Sequence, residues 1–265
     1  MNILDAIQQL DIAGKPVCIH ASVRSFGCRV EGLLAQFLDS GCTVLVPTFS
    51  DMYEALPDPR WMPEQNGAGD YSYFYEKTYA DAGTYSVDSN QLTVEEMGRF
   101  SEMVLENPDR IRGDNALNSF AAVGVLAEKL VSGQTNEDVY FPLKKLCQED
   151  GFVLLMGTDL TSATAIHYAE QLAGRAPFIR WAKGENGATV PVRAGGCSDG
   201  FEKLSALLKP YEKQIMVGES LWRCYKAQVL VDACKEAFLA DPFVAHCDDP
   251  DCCRCNDAAK GGPKY

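Results

Sequence analysis

Proton transfer at neutral pH is the task of histidine, and this chain has only three: His20, His167 and His246. His167 lies in Asp159-Leu160-Thr161-Ser162-Ala163-Thr164-Ala165-Ile166-His167-Tyr168-Ala169-Glu170, just beyond an apolar run and inside a helical stretch. Glu170 follows it by three residues, a spacing that puts both side chains near the same side of a helix. A neighbouring carboxylate fixes the imidazole tautomer and raises its basicity, which makes an oriented general base out of an otherwise structural residue. His246 has different company: Cys247, Cys252, Cys253 and Cys255 crowd around it near the C-terminus. Soft ligands in a short loop suit tetrahedral zinc, with His246, Cys252 and Cys255 the first three and Cys247, Cys253 or Asp257 completing the set. The bland alternative is a reduced tail facing solvent. No Gly-Xaa-Ser-Xaa-Gly elbow, Walker loop or dinucleotide Gly-Xaa-Gly-Xaa-Xaa-Gly fingerprint occurs, which removes the motif support for a serine hydrolase, a nucleotidase or a dehydrogenase.

The elements that must position these groups are legible from periodicity. Ile3, Ile7 and Leu10 recur at helical spacing, Gly14-Lys15-Pro16 breaks the pattern, and Val17-Cys18-Ile19 reads as a buried strand. The loop His20–Gly27 follows, then a helix around Leu33–Leu38, then a second apolar strand, Cys42–Pro47. This βαβ unit calls for a parallel portion of sheet. Phe120–Val125 and Gly151–Met156 read as further strands, and Thr93 starts a helix, with Glu96 three residues on as a capping partner, that runs to about Glu106. Trp181 through Arg193 alternates around Asn186-Gly187, a hairpin that adds antiparallel members to the sheet. The expected fold is α/β, a mixed parallel and antiparallel central sheet flanked by helices, with residues 1–265 forming one domain that carries a Cys/His-rich tail at 243–265. Ser50 to Gln91 is a long Pro-, Gly- and Tyr-rich excursion, either packed on its own aromatic side chains or forming a substrate wall with Asp51, Glu54, Asp70 and Glu76.

Composition bounds the partners. The chain has 265 residues, 46% hydrophobic and 23% charged, so it can bury an ordinary core. Its 24 Lys and Arg against 37 Asp and Glu leave a net charge of -13, which argues against a nucleic-acid partner and suits a cationic small molecule. No apolar run reaches membrane-spanning length, and Met-Asn-Ile-Leu-Asp is not the start of a secretory signal, so a cytoplasmic location is expected. Seven of the eleven cysteines, from Cys18 to Cys234, fall at strand or helix interiors and read as reduced core residues.

Several segments taken in order resemble the aminoglycoside 3-N-acetyltransferase family: Val17 to Gly27, Val44-Leu45-Val46-Pro47-Thr48-Phe49-Ser50, Glu96-Met97-Gly98, Phe141 to Leu146, Asp150 to Gly157, and Thr164 to Glu170. The resemblance implies an antibiotic N-acetyltransferase-like fold and an acyltransferase of the antibiotic-resistance type, moving an acetyl group from acetyl-coenzyme A to an amine of an aminoglycoside (3-N-acetylation). His167 would be the general base, with Glu170 and Asp159 beside it. The coenzyme would be held by His20, Ala21, Ser22, Val23, Arg24 and Ser25, with Met97 and Ser119, and the small cationic amine would bind alongside, in a monomer or a homodimer. A structural zinc held by His246, Cys247, Cys252 and Cys255 would complete the cofactors. The chain departs from the family in two places. Asp114-Asn115-Ala116-Leu117 replaces a His-Pro pair, and Arg193, Ala194, Gly195 and Gly196 stand where acidic residues are usual before Cys197-Ser198-Asp199-Gly200-Phe201. Asp199, Glu202 or Asp159 would then have to supply the missing carboxylates. The departures keep open acetylation of a different amine, such as a biosynthetic intermediate, or a relative that binds coenzyme or metal without catalysis.

Overall fold

A computed structural model of the chain describes residues 2–27 and 32–264, so that Cys28 lies outside the described residues. Nine strands are found among them: β1 (Pro16–Ala21), β2 (Thr43–Pro47), β3 (Ile111–Arg112), β4 (Phe120–Val123), β5 (Phe152–Met156), β6 (Phe178–Lys183), β7 (Thr189–Ala194), β8 (Lys213–Val217) and β9 (Ser220–Lys226). The helices are α1 (Ile3–Gln9), α2 (Leu33–Asp39), α3 (Ser72–Glu76), α4 (Val94–Leu105), α5 (Ala127–Val131), α6 (Phe141–Gln148), α7 (Ala165–Leu172), α8 (Ser205–Leu208), α9 (Ala227–Ala240) and α10 (Cys253–Ala259).

Seven strands form one sheet in the order β3-β4-β2-β1-β5-β9-β8. The central trio is parallel, with Val17 facing Val44 on one side and Phe152 on the other, while β4, β3, β9 and β8 join antiparallel. Apart from His20 and Thr43 the trio is apolar, because both of its faces are covered. Val17, Ile19, Leu154 and Met156 pack in one layer with α1, α2 and α4; Cys18, Val153 and Leu155 pack in the other with α5, α6, α7 and α9.

Two expectations need correcting. The hairpin around Asn186-Gly187 forms, but β6 and β7 make a separate two-stranded sheet, and the antiparallel members of the main sheet are other strands. The hairpin's apolar face is instead covered by the long excursion, where Tyr71 and Phe74 meet Trp181 edge-on at 5.9 and 5.2 Å. The helix after Thr93 is interrupted: Gly98 adopts φ 76°, a conformation that strains any residue with a Cβ, and Thr93 caps nothing with its side chain. The Thr93 hydroxyl accepts a hydrogen bond from the Asp51 backbone N–H at 3.0 Å and so fastens the excursion to the helix start. The other end of the excursion is held by Arg112, a buried guanidinium that donates to the Thr48, Ser89 and Gln91 carbonyls and to the Ser50 and Ser119 hydroxyls.

Candidate active site

The parallel strands β1, β2 and β5 all end on one cleft of about 480 Å³, where ligands bind in sheets of this type. His20 and Ala21 come from the end of β1, Pro47 from the end of β2 and Phe49 from just beyond it, and Thr158, Thr161, Ser162 and Thr164 from the loop between β5 and α7. His167, in the first turn of α7, lines the cleft while only 9% exposed. Its Nδ1 lies 2.7 Å from Glu170 Oε2. Arg175 Nη1 donates to the other carboxylate oxygen at 2.7 Å, and Arg175 Nη2 donates to the Pro242 carbonyl at 2.5 Å. An ionised carboxylate only accepts, so Nδ1 carries a proton; in the neutral ring the lone pair then lies on Nε2, which has no hydrogen-bond partner among the described residues. Tyr140 stacks parallel to the ring at 6.4 Å and Phe201 meets it edge-on at 4.7 Å, which fixes its plane.

Gly195 keeps the Nε2 side of the ring open. A Cβ there would sit 3.2 Å from Tyr140 Oη and 3.5 Å from His167 Nε2. Its backbone N–H is anchored on Asn118 Oδ1 at 2.9 Å, and Asn118 also lines the cleft. The cleft is also lined by the acidic residues Asp51, Glu54, Glu96 and Asp199, and by Lys77, Arg180 and Arg254. Burial pushes the carboxyls of Asp51 and Glu96 up from their ordinary range, and the Asp51 charge adds to the effect at Glu96. Glu54 is paired with Lys77. Burial depresses the Arg180 guanidinium to about 10. Burial also holds His20 near 4, and its Nε2 faces Cys18 Sγ at 3.7 Å. Burial therefore favours the neutral form of His20.

The residues singled out from sequence divide clearly. His167 and Glu170 are brought together, and His20, Ala21 and Met97 reach the cleft. Asp159 does not join them: its exposed carboxylate accepts from the Thr161 N–H and hydroxyl, capping a short helical turn. Glu202 is likewise occupied, by Arg223, Ser205 and the Leu160 N–H. With Glu170 already on Nδ1, neither is needed to orient the histidine. Ser119 is fully buried beneath the cleft, its hydroxyl bonded to Thr48 and Arg112, so it has no free face for a coenzyme. Ser22 precedes, and Val23, Arg24 and Ser25 fall within, a short 3-10 turn (Val23–Phe26) off the cleft lining; Ser25 Oγ is spent on the Ser22 carbonyl and on Ser220 Oγ, both at 2.7 Å. Asn115, in place of the His-Pro pair, is a buried knot that bonds the Leu117 and Asn118 N–H groups and the Thr135 and Arg193 carbonyls.

The metal set also changes. His246 spends both ring nitrogens elsewhere, Nδ1 at 2.8 Å from the Cys247 carbonyl and Nε2 at 3.2 Å from Asn256 Oδ1. Cys253 is exposed on the outside of α10 and Asp257 accepts from the Gly67 N–H. The thiols that converge are Cys197, Cys247, Cys252 and Cys255.

Sequence reasoning overlooked Tyr140, Asn118, Arg180 and Arg254, and placed Thr158 at a ligand-binding strand end without giving it a role. Thr158 is notable because its hydroxyl is buried with no hydrogen-bond partner among the described residues, although it faces the cleft. Its place directly after a buried strand end was the one available signal.

Comparisons with known proteins bear on this site. Aminoglycoside N(3)-acetyltransferase III of Pseudomonas aeruginosa is 28% identical over 186 residues, which are 65% of this chain and 63% of that protein. The chain therefore matches somewhat under two thirds of the length of this relative. Among solved structures, aminoglycoside acetyltransferase AAC(3)-IVa, as a histidine-to-alanine mutant in complex with a gentamicin, superposes with a TM-score of 0.73 at 19% identity, over 97% of this chain and 95% of that one. AAC-IIIb, binary with CoASH, gives 0.69 at 21% identity, over 89% and 94%. Identities this low establish a shared fold: a mixed central sheet flanked by helices. The sequence profile of the aminoglycoside 3-N-acetyltransferase family matches residues 18–238, from within β1 to within α9. Since that match takes in the sheet, the cleft and the His167–Glu170 pair alike, the chain belongs to the aminoglycoside 3-N-acetyltransferase family.

Proposed function

We propose that the protein transfers the acetyl group of acetyl-coenzyme A to an amine of a cationic aminoglycoside, with His167 as general base. The observation that carries this reading is the buried relay Arg175–Glu170–His167, which ends in a free Nε2 at a cleft walled by four carboxylates. A protonated amine has no lone pair to attack with, so the amine first gives up its ammonium proton to solvent, and Nε2 takes a second proton as the nitrogen bonds to the thioester carbonyl. The resulting oxyanion collapses, the C–S bond breaks, and the leaving thiolate recovers the proton from the imidazolium, whose charge Glu170 offsets. Thr158, with its uncommitted hydroxyl, is a suitable donor to the oxyanion. CoASH bound to AAC-IIIb and a gentamicin bound to AAC(3)-IVa support coenzyme and aminoglycoside as the two ligands. We place the reaction in the cytoplasm and assign the tail a structural zinc; no helix among the described residues is long and apolar enough to cross a membrane.

A second reading is favoured by one observation. Arg180 and Arg254 line the cleft with no salt-bridge partner among the described residues, so an acceptor that carries an acidic group beside its amine would find both charges matched. Thiol release from acetyl-coenzyme A, followed with a panel of aminoglycosides and a panel of zwitterionic amino sugars, separates the two. Turnover restricted to the second panel overturns the aminoglycoside assignment; no turnover in either overturns the acetyltransferase reading.

A further inference from the structure

Cys197 lies in the loop after β7, whereas Cys247, Cys252 and Cys255 lie some fifty residues later in the tail, yet their four Sγ atoms all fall within 4.8 Å of one another. Tetrahedral zinc with Zn–S bonds of ~2.3 Å has sulfur-to-sulfur edges of ~3.8 Å, so small χ1 adjustments bring this set to ligating geometry. Cys197 and Cys255 are buried, Cys247 and Cys252 half-buried, and the Cys247 N–H points at Cys255 Sγ at 3.5 Å, a donor that a thiolate can use. The backbone around the cluster is shaped for close approach. A Cβ on Gly200 would collide with the Ala245 carbonyl oxygen, so only glycine lets the loop and the tail meet here. Lys203 reinforces the junction by donating to the His246 carbonyl at 2.7 Å and pairing with Asp248.

We propose that Cys197, Cys247, Cys252 and Cys255 form a closed four-thiolate site for one zinc ion, and that this ion pins the tail to the loop forming one side of the catalytic cleft. Four protein ligands leave no open coordination position, so the metal is structural. Its effect on the cleft follows from what the ligands are attached to. Cys197 is flanked by Gly195 and Gly196 on one side and Ser198 and Asp199 on the other, all of them lining the cleft. Arg254, between the ligands Cys252 and Cys255, reaches the same cleft. At the start of the tail the Pro242 carbonyl accepts from Arg175, the residue that holds Glu170. Loss of the metal therefore loosens the Gly195–Asp199 lining and the outer end of the His167 relay together, while β1 and Met97, which carry none of its ligands, are untouched.

The site itself is independent of the chemistry assigned to the cleft; only its kinetic consequence rests on the acetyltransferase reading. Untagged full-length protein is analysed for metal and, after exchange, for cobalt(II) absorption. About one equivalent of zinc and the intense charge-transfer and visible bands of tetrahedral cobalt thiolate are expected. Cys197→Ser should weaken zinc retention against a chromogenic chelator by more than the ~10–100-fold that loss of an outer-shell partner costs, while His246→Ala should retain it; the reverse pattern would overturn the ligand set. Less than a tenth of an equivalent of zinc, with no cobalt bands and all four thiols open to a thiol reagent or joined as disulfides, would overturn the site. On the kinetic arm, metal removal should raise the amine KM by on the order of tenfold or more and leave the coenzyme KM within about twofold. Unchanged amine kinetics in metal-free protein would overturn the coupling to the cleft. Should no amine be turned over, the metal and cobalt measurements still decide the site.

Discussion

Replacing Glu170 by glutamine changes one atom and, in this setting, inverts the tautomer of the His167 imidazole. Arg175 Nη1 sits 2.7 Å from Glu170 Oε1 and can only donate, so the carbonyl oxygen of a glutamine must turn toward it. The amide NH2 is then presented to His167 Nδ1, which must accept and give up its proton to Nε2. The nitrogen that faces the cleft would carry a hydrogen and could not take another from the amine. A hydrogen bond to a charged group contributes roughly 1.5–3 kcal/mol, a factor of ~10–100 in rate, and loss of the productive tautomer brings the total to the ~10²–10⁴ range of general-base catalysis. The assay is thiol release under saturating acetyl-coenzyme A, with coenzyme affinity measured by calorimetry. We expect kcat/KM to fall by ~10²–10⁴ while coenzyme affinity changes less than about threefold. Adding Arg175→Met to Glu170→Gln frees the amide to turn its oxygen back to Nδ1, so the double variant should be faster than the single one. A single variant within about threefold of wild type, or a double variant slower than it in a protein of unchanged fold, refutes the tautomer argument.

Other expectations follow from the same geometry. Gly195→Ala places a methyl 3.2 Å from Tyr140 Oη and 3.5 Å from His167 Nε2, so turnover of bulky amines should drop ~10-fold or more with the melting temperature nearly unchanged. A variant as active as wild type would show that the amine approaches from elsewhere. Glu96→Gln removes a cleft carboxylate and should raise the KM for a polycationic amine several-fold with the coenzyme KM constant; because burial raises the Glu96 and Asp51 carboxyls, affinity for such an amine should also grow as pH rises through their titration. His20 bears on acid stability. Its folded-state value near 4 lies below the ordinary 6.5, so the unfolded chain binds the proton first, and the His20 contribution is complete above pH 6.5 and lost progressively down to pH 4. The loss amounts to about 3 kcal/mol at most, and denaturant midpoints for wild type and His20→Gln should converge as pH falls across that window. Midpoints with identical pH dependence would show that His20 carries none of it.

Local chemistry in the sequence was enough to specify several things about this protein. The apolar runs of β1, β2 and β5 required a sheet covered on both faces, and the three-residue spacing of His167 and Glu170 set a carboxylate beside an imidazole on one helical turn. Both depend on contacts between residues close in the chain, or on patterns that only burial satisfies, so they are legible without the fold. The pairing of β6 with β7 was legible for the same reason, through the Asn186-Gly187 turn, but its separation from the main sheet was not, because what covers Trp181 is Tyr71 and Phe74, over a hundred residues away. The identity of the fourth thiol was decided in the same way: nothing near Cys197 in the sequence points to the tail, and only the approach of Gly200 to the Ala245 carbonyl brings it there, while Asn256 and the Cys247 carbonyl take His246 out of the set. Ser119 and Asp159 show the same limit from the other side. A polar side chain in a promising segment advertises its chemistry, but whether that chemistry is free for a ligand or already spent on Arg112 or Thr161 is settled by which partners the tertiary structure brings within hydrogen-bonding distance.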